Sequence, residues 1–388
     1  MRFIFSLVPF VLSKTLILTP KPIVSILDLN TFNEEHDIHH LASVNDLHIY
    51  KTTNTSYLGT LTQFFDIEEE QIYKVDSIRK FVTNTYYDFF NKVDDLFYGN
   101  ETVVPWHLDR ISKRDLPLDN KFKYTKCNTN KDIIVNNYVI DTGVDTKNEN
   151  EFQNRVTWLN DFTDGSKNDI HPHGTHCAGV IGSKTYGLCK DSNIFSIRVL
   201  DQDGSGSTSG VIAGIEFFHK HHTEMNVKGN VKSIASVSLG GGKSTALNKI
   251  VEAVIKTNGV YFVAASGNSN EDACDSSPAS ARGILSVNAV DQYDTRAYFS
   301  NFGKCTDIYA SGVDILSTVL DGQTAIYSGT SCATPQIAGL LTHYLNEFPN
   351  LNMKELKAKV LSDATKNHIK KNPKQTPNNL AYLSRQDY

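Results

Sequence analysis

Short apolar runs alternate with amphipathic stretches of helix length from Tyr138 onward. The apolar runs predict buried strands, and the amphipathic stretches predict helices. Strands separated by helices imply βαβ units, and hence a mostly parallel sheet covered on both faces. We therefore predict an α/β fold with three layers, α/β/α, whose active site lies at the carboxyl ends of the strands. The predicted strands cover 138–140, 194–200, 231–239, 260–265 and 284–290, and the predicted helices cover 209–219, 245–256 and 331–348.

The first 100 residues have a different character. They contain a strand-like run at 23–27 and a Phe- and Tyr-rich amphipathic stretch at 73–97, but no Gly-rich motif and no set of catalytic residue types. We predict a small α+β domain here, with a boundary at residues 100 and 101. A length of 388 residues is ample for two such units.

The N-terminus predicts export from the cell. Arg2 precedes a short apolar run at 3–12. A membrane span needs about 20 apolar residues, so this run is too short to be one. One positive charge followed by a short apolar core is typical of a secretory signal peptide, which we predict for residues 1–18. The alternative is a buried strand of the folded protein.

Composition supports a secreted protein without unusual partners. No later apolar run is long enough to span a bilayer, and the six cysteines are compatible with an oxidising compartment. The net charge of -5 gives no support for a nucleic-acid partner or an anionic membrane surface.

Three polar residues stand where predicted strands end or predicted helices begin. Asp141 ends the first strand, His173 follows Pro172 at the start of a small-residue run, and Ser331 opens the last helix. Backbone N–H groups and the helix dipole at such a start favour a developing oxyanion. Taken alone, a turn aspartate and an N-cap serine would explain two of these positions.

Asn268 follows the strand at 260–265, and its side-chain amide can donate to the same oxyanion. The alternative is an ordinary turn asparagine after glycine. Together the four residues have the composition of a Ser-His-Asp triad with an oxyanion donor. In this triad the imidazole activates the serine, and the carboxylate orients the imidazole and stabilises its charged form.

A histidine-based metal site is the rival interpretation of the same region. His171, His173 and His176 cluster in the sequence, but they lack the four-residue spacing and the acidic residue of a zinc helix. A second histidine group at 219–222 looks like a solvated helix end.

The motifs around these residues resemble the subtilisin-like serine proteases (peptidase family S8), and within them the proteinase K-like branch. The catalytic order Asp, His, Ser is also that of subtilisins. The resemblance runs from about Pro105 to the end of the chain. It rests on Asp141-Thr142-Gly143, His173-Gly174-Thr175-His176-Cys177-Ala178-Gly179, Gly267-Asn268, Gly329-Thr330-Ser331 and Ala333-Thr334-Pro335, with a mature-like start at 105–112.

The resemblance implies a serine endopeptidase made as a zymogen, with Asp141, His173 and Ser331 as triad and Asn268 as oxyanion donor. It also implies two strands that pair with a substrate peptide, with glycines that allow close backbone approach. No acidic residue is placed to select basic side chains, so we expect a broad apolar or aromatic preference. The implied substrate strands are Ser238, Leu239 and Gly240 on one side and Gly204, Ser205 and Gly206 on the other.

The resemblance further implies that residues 19–100 are an inhibitory propeptide and residues 101–388 the catalytic domain. The end of the propeptide would fill the cleft until it is cut, by the enzyme itself, within about 97–104. The dibasic pair Lys113-Arg114 is a second candidate cleavage site. The expected partners are peptide or protein substrates and the propeptide, and the expected state is a monomer.

The family pattern leaves the cysteines and metals partly open. Cys274 and Cys305 match positions that are bridged in some members, so the resemblance implies that disulfide. No cofactor is needed for the chemistry, although some relatives bind structural calcium and Asp307 is a candidate ligand. The alternative function is a catalytically silent protein-binding homologue of the same fold. The cysteines left without assigned partners are Cys127, Cys177, Cys189 and Cys332.

Overall fold

The computed structural model describes residues 14–21, 37–55, 58–75, 78–80, 104–124, 126–163 and 171–384. Its strands are β1 Leu16–Pro20, β2 His39–Val44, β3 Leu47–Thr52, β4 Phe65–Glu69, β5 Ile72–Val75, β6 Ile78–Lys80, β7 Ile134–Asp141, β8 Val156–Asp161, β9 Asn193–Arg198, β10 Ser205–Ser207, β11 Val231–Val237, β12 Leu239–Gly242, β13 Val260–Ala265, β14 Ser276–Ser277, β15 Leu285–Val290, β16 Ile308–Ser311, β17 Ile315–Thr318, β18 Thr324–Ser328, β19 Thr365–Lys366 and β20 Asn379–Leu380. Its helices are α1 Leu58–Phe64, α2 Trp106–Ile111, α3 Glu149–Phe152, α4 Pro172–Gly182, α5 Thr208–Met225, α6 Thr245–Val254, α7 Thr330–Glu347 and α8 Met353–Asp363, with short 3₁₀ turns at Ala273–Asp275 and Leu320–Gly322.

A nine-stranded sheet forms the centre of the catalytic part. Its order is β19-β20-β16-β15-β13-β11-β7-β9-β8, and every pairing is parallel except the edge pair β19 and β20. The five predicted strands fall on β7, β9, β11, β13 and β15. One predicted strand is divided, because β11 ends at Val237 and β12 begins at Leu239.

Helices cover both faces of this sheet, which confirms the three-layer prediction. Side chains along each buried strand alternate between two apolar clusters. Val139 and Ile234 pack with α4, α7 and α8 on one face, whereas Tyr138 and Ala235 pack with α5 and α6 on the other. The predicted helices correspond to α5, α6 and α7. Among the described residues, no helix combines the length and apolar character required to cross a bilayer.

The N-terminal unit is a four-stranded antiparallel sheet of order β2-β3-β1-β4 with helix α1. It lies on the outer surface of α5 and α6. Ser43 N donates to the Glu216 carboxylate at 2.8 Å, and Ile17 and Val44 join the apolar cluster of those helices. This arrangement fits the predicted small α+β domain.

Two boundaries differ from the sequence prediction. The signal peptide was predicted to end at residue 18, but Leu16, Ile17 and Leu18 are buried in β1. The folded unit therefore begins before that boundary, and residues 1–13 lie outside the described residues. The amphipathic stretch predicted from residue 73 begins instead with two short strands, β5 and β6. The predicted run at 23–27 lies outside the described residues.

Candidate active site

Asp141 and His173 form a buried hydrogen-bonded pair. Asp141 is the last residue of β7, and its Oδ1 accepts from Thr142 N at 2.7 Å and contacts His173 Nδ1 at 2.8 Å. Because a carboxylate accepts, Nδ1 carries the proton and Nε2 presents its lone pair. Nε2 is buried and makes no hydrogen bond to any described residue. This geometry suits a base that receives a proton at Nε2.

Contacts at the first turn of α4 hold His173 in position. Pro172 occupies the first helical position, where its missing N–H costs nothing, and the His171 side chain accepts from His173 N at 3.3 Å. Thr142 ties the helix to the end of β7, because its hydroxyl donates to His171 O at 2.9 Å and accepts from Gly174 N at 3.0 Å. A Cβ on Gly174 would lie 2.0 Å from the carbonyl oxygen of Gly143.

Ser331 is the second residue of α7, directly after β18. Its carbonyl accepts from the Ser238 hydroxyl at 3.0 Å and from Cys177 Sγ at 3.5 Å. The same sulfur lies 3.9 Å from His173 Nδ1. One side chain therefore contacts both His173 and Ser331, so the structure brings the three predicted triad residues to one edge of the sheet.

Asn268 lies beside the start of α7. Its Oδ1 accepts from Thr330 N at 2.8 Å, which fixes the side-chain amide one residue before Ser331. The loop that carries it turns at Gly267, which has φ +107°. A Cβ there would lie 2.3 Å from the Asn301 side chain.

Asn301 is a positioning residue that the sequence motifs do not reveal. Its amide donates to Ser266 O at 2.9 Å, and its Oδ1 accepts from Ser269 N at 3.1 Å and Glu271 N at 3.0 Å. These bonds hold both flanks of the Asn268 loop. Asn301 stands outside the four motifs, and its role depends on contacts between distant segments.

The two predicted substrate strands face each other across a cleft. Strand β10 carries Ser205 and Gly206, and strand β12 carries Leu239 and Gly240, whereas Gly204 and Ser238 directly precede these strands. Strand β5 lies between β10 and β12, antiparallel to both. Tyr73 and Lys74 pair with Gly206 and Ser205, and Val75 and Lys74 pair with Leu239 and Gly240. In addition, Val75 N donates to Gly204 O at 2.8 Å. The cleft therefore holds an extended strand of this chain.

The next strand of the N-terminal segment, β6, lies beside the strand that precedes α7. Strand β6 pairs antiparallel with β18, with Ile78 opposite Ser328. The family resemblance implied that residues close to 97–104 would fill the cleft. The structure instead places Ile72–Val75 there, more than 20 residues earlier. Residues 97–103 lie outside the described residues, so cleavage within 97–104 stays a prediction.

Comparison with known proteins decides the family. The model of the Peptidase_S8 subtilase family matches residues 73–381, a span that contains every motif described above. The chain belongs to the subtilase family. It is 43% identical over 312 residues to the subtilisin-like serine protease Rho m 2.0101 of Rhodotorula mucilaginosa, covering 76% of this chain and 91% of that protein.

Two further matches extend the comparison of this subtilase. Cerevisin of Saccharomyces cerevisiae is 39% identical over 356 residues, a span of 84% of this chain and 53% of cerevisin. The crystal structure of a cold-adapted subtilisin-like serine proteinase matches with a TM-score of 0.66 and 39% identity, covering 74% of this chain and all of the other. The subtilase is thus a member of a family of serine peptidases, which are hydrolases.

Two cysteines of the subtilase lie buried beside the triad as free thiols. Burial, together with the nearby Asp141 carboxylate, holds the pKa of Cys177 well above its usual range. Burial also raises the pKa of Cys332 to about 12. Both therefore stay protonated at neutral pH, and neither competes with Ser331 as a nucleophile.

The other four cysteines form two disulfides. Cys274 is joined to Cys305, the pair that the family resemblance implied. Cys127 is joined to Cys189, a pairing that the sequence analysis left open. The two cysteines are 62 positions apart, so the sequence gives no local signal that they lie close together.

The histidines and Asp307 are engaged in protein contacts in this subtilase. His176 Nε2 lies 3.0 Å from Ile315 O, and its ring stacks on Tyr327 at 4.5 Å. Burial lowers the pKa of His176 to about 3, so it is neutral. Asp307, the candidate calcium ligand, pairs with Lys357 Nζ at 2.7 Å, so a cationic side chain already neutralises this carboxylate.

One minor expectation was wrong. The histidine group at 219–222 was expected to be a solvated helix end, but His222 is fully buried. It lies 2.8 Å from the Ser233 hydroxyl and 3.0 Å from Asn258 O. Its neighbour His219 contacts the Thr257 hydroxyl at 2.9 Å. The C-terminal part of α5 is therefore packed against the sheet by its histidines.

Proposed function

We propose that the chain is the zymogen of a secreted serine endopeptidase that hydrolyses peptide bonds through an acyl-enzyme. The observation that carries this proposal is the buried Asp141–His173 pair beside Ser331, at a cleft that holds an extended strand. Two disulfides support folding in an oxidising compartment.

The geometry supports the following reaction. Ser331 attacks the substrate carbonyl carbon while His173 Nε2 takes the hydroxyl proton. The Asp141 carboxylate at Nδ1 stabilises the imidazolium that forms. Asn268 and the backbone N–H of Ser331 hold the oxyanion. His173 then protonates the leaving amine, and a water molecule repeats the sequence to release the acid.

The cleft supports a preference for apolar or aromatic side chains. Tyr73 of β5 is fully buried there, and its hydroxyl donates to Gly242 O at 3.2 Å. The ring lies over Gly241, where a Cβ would come within 2.9 Å of it. Lys74, the next residue, is exposed. An aromatic substrate residue at the Tyr73 position would bury the same surface.

The test is hydrolysis of casein by the processed protein, together with labelling by a fluorophosphonate. Ser331→Ala should lower kcat by about a million-fold, the scale of loss when the nucleophile of such a triad is removed. The wild-type protein should be labelled at Ser331, and the variant should not. A processed protein that neither cleaves casein nor takes the label would instead be the silent binding homologue.

A further inference from the structure

Strand β18 is the surface on which the leaving-group side of a substrate would lie. Strand β5 pairs with β10 and β12, whereas β6, which follows it in the chain, pairs with β18 and places Ile78 opposite Ser328. Under the proposed function, a substrate that runs through the cleft in the same direction places its acyl residues on β10 and β12. Its leaving-group residues then lie on β18, which ends three residues before Ser331.

One histidine contacts both strands of the hairpin that contains β18. Strands β17 and β18 are antiparallel, and Ile315 pairs with Tyr327. His176 of α4 lies with its Nε2 3.0 Å from Ile315 O, and its ring stacks on that of Tyr327 with centroids 4.5 Å and planes 18° apart. Because a carbonyl oxygen only accepts, Nε2 of this neutral ring carries the proton. A single side chain therefore holds a complete pair of the hairpin.

The hairpin belongs to a separate sheet, β17-β18-β6, so strand pairing with the nine-stranded sheet does not fix its position. It lies directly on α4 instead. The Ser317 hydroxyl donates to His176 O at 2.9 Å, and a Cβ on Gly179 would lie 2.2 Å from Ser317 Oγ. The buried apolar cluster between the hairpin and the helices consists of Val180, Ile315, Val319, Tyr327 and Cys332.

The same turn of α4 carries the catalytic base. His173 and His176 are three positions apart, so they lie on neighbouring parts of one helix surface. In the proposed reaction His173 gives its proton to the leaving amine, and the residues that follow this amine lie on β18. Helix α4 therefore sets the distance between the proton donor and the strand that holds the leaving group.

We propose that His176 is a positioning residue that holds β18 at the correct distance from His173 and so determines how well the leaving-group side of a substrate binds. This rests on the proposed function. Ser331 is held by other contacts, because the Ser238 hydroxyl donates to its carbonyl at 3.0 Å. Loss of the His176 side chain therefore displaces the strand more than the nucleophile.

The experiment compares two substrates that share their acyl residues. A peptide p-nitroanilide has no residue beyond the scissile bond, whereas an internally quenched peptide has four. His176→Ala removes the stacking and the hydrogen bond and leaves a void behind Tyr327. A misplacement of about 1 Å costs on the order of 100-fold in rate. In the processed protein, kcat/KM should therefore fall at least tenfold more for the extended peptide than for the p-nitroanilide, and equal losses would overturn the inference.

Acyl transfer gives a second readout of the leaving-group side. The p-nitroanilide forms the same acyl-enzyme in each variant, and an added dipeptide amide competes with water for it. The amine nitrogen bonds to the acyl carbon, the ester bond to Ser331 Oγ breaks, and the amine proton passes through His173 to that oxygen. The ratio of aminolysis to hydrolysis should fall at least tenfold in His176→Ala. An unchanged ratio would contradict the assigned role.

Two conservative variants and a control separate positioning from general loosening. His176→Phe keeps a ring against Tyr327, and His176→Gln keeps an N–H donor, so each should recover part of the lost ratio. If both match His176→Ala, the two contacts do not position the hairpin. Ile181→Ala is the control, because Ile181 is buried on the same helix but packs in the main core. It should keep the wild-type ratio between the substrates, and an equal change there would refute the inference.

The outcomes distinguish this inference from the proposed function. A wild-type protein that neither cleaves the p-nitroanilide nor takes the fluorophosphonate label fails the proposed function. A wild-type protein that does both, with His176 variants that lose the two substrates in parallel and keep their near-UV circular dichroism, fails the inference alone. If His176→Ala does not fold, His176→Phe and His176→Gln carry the same comparison.

Discussion

Gly174→Ala tests whether the close approach of α4 to the end of β7 sets the catalytic geometry. The new Cβ would lie 2.0 Å from the carbonyl oxygen of Gly143, whereas an ordinary contact begins near 3.4 Å. The obstructing atom belongs to the backbone, so the two segments must separate by about 1.4 Å. Both ends of the Asp141–His173 bond are attached to these segments.

The separation acts directly on that hydrogen bond. The Nδ1–Oδ1 distance is 2.8 Å, and a shift of this size would take it to about 4 Å, beyond hydrogen-bonding range. A misplacement of about 1 Å costs on the order of 100-fold, and loss of the aspartate's control of the tautomer costs about 10,000-fold. We therefore expect kcat/KM of Gly174→Ala to fall by a factor between these two values.

Gly210→Ala is the matched control. Gly210 is the third residue of α5, as Gly174 is the third residue of α4, and a Cβ there meets its nearest atoms at 3.4 Å. The assay is kcat/KM on a chromogenic peptide and the rate of fluorophosphonate labelling, with near-UV circular dichroism to establish folding. The control should stay within twofold of the wild type. A folded Gly174→Ala protein with more than a third of the wild-type kcat/KM would refute the reasoning.

Three further predictions concern the oxyanion site, a disulfide and a buried histidine. Asn268→Ala should lower kcat about 100- to 1,000-fold with little change in KM, measured by steady-state kinetics on the same peptide. Replacing Cys127 and Cys189 by serine opens a loop of 62 residues and should cost about 4 kcal/mol of unfolding free energy, measured in urea on the Ser331→Ala background. Burial lowers the pKa of His107 from 6.5 to about 4. As the pH falls, His107 is therefore protonated in the unfolded state before it is protonated in the folded state. Stability should therefore decrease by up to about 3 kcal/mol between pH 6.5 and pH 4, and His107→Asn should remove this part of the decrease in urea titrations.

The candidate triad could be proposed from the sequence because each member lies in a compact local motif. Asp141 is followed by a turn, His173 is followed by a helix of small residues, and Ser331 lies at the start of a helix. Each chemical group thus lies within a few positions of a recognisable change in secondary structure. The structure adds residues that act across long sequence distances. Asn301 holds the Asn268 loop from more than 30 positions away, and nothing next to it in the sequence marks that role.

The N-terminal segment was harder to interpret for a different reason. Strands β5 and β6 are only four and three residues long, too short for a periodic pattern to identify them. Their conformation comes from pairing with β10, β12 and β18, which lie more than 100 residues later. Tertiary pairing overrides local preference in such segments, so the amphipathic spacing after residue 73 was misleading.

Under the proposed function, the cleft holds the N-terminal unit as an inhibitor in the zymogen and a substrate in the processed enzyme. Strands β10 and β12 present unpaired backbone groups to whatever extended chain enters, and β5 satisfies them as any peptide would. The backbone contacts in the cleft are therefore the same for β5 and for a substrate peptide. The difference lies on α5 and α6, where the Glu68 and Glu70 carboxylates and the apolar face of the β1–β4 sheet add contacts that a short peptide lacks. A cut peptide keeps only the cleft contacts and leaves, whereas the N-terminal unit keeps both sets. In the proposed zymogen, the contacts on α5 and α6, remote from Ser331, therefore determine how long the N-terminal unit stays bound.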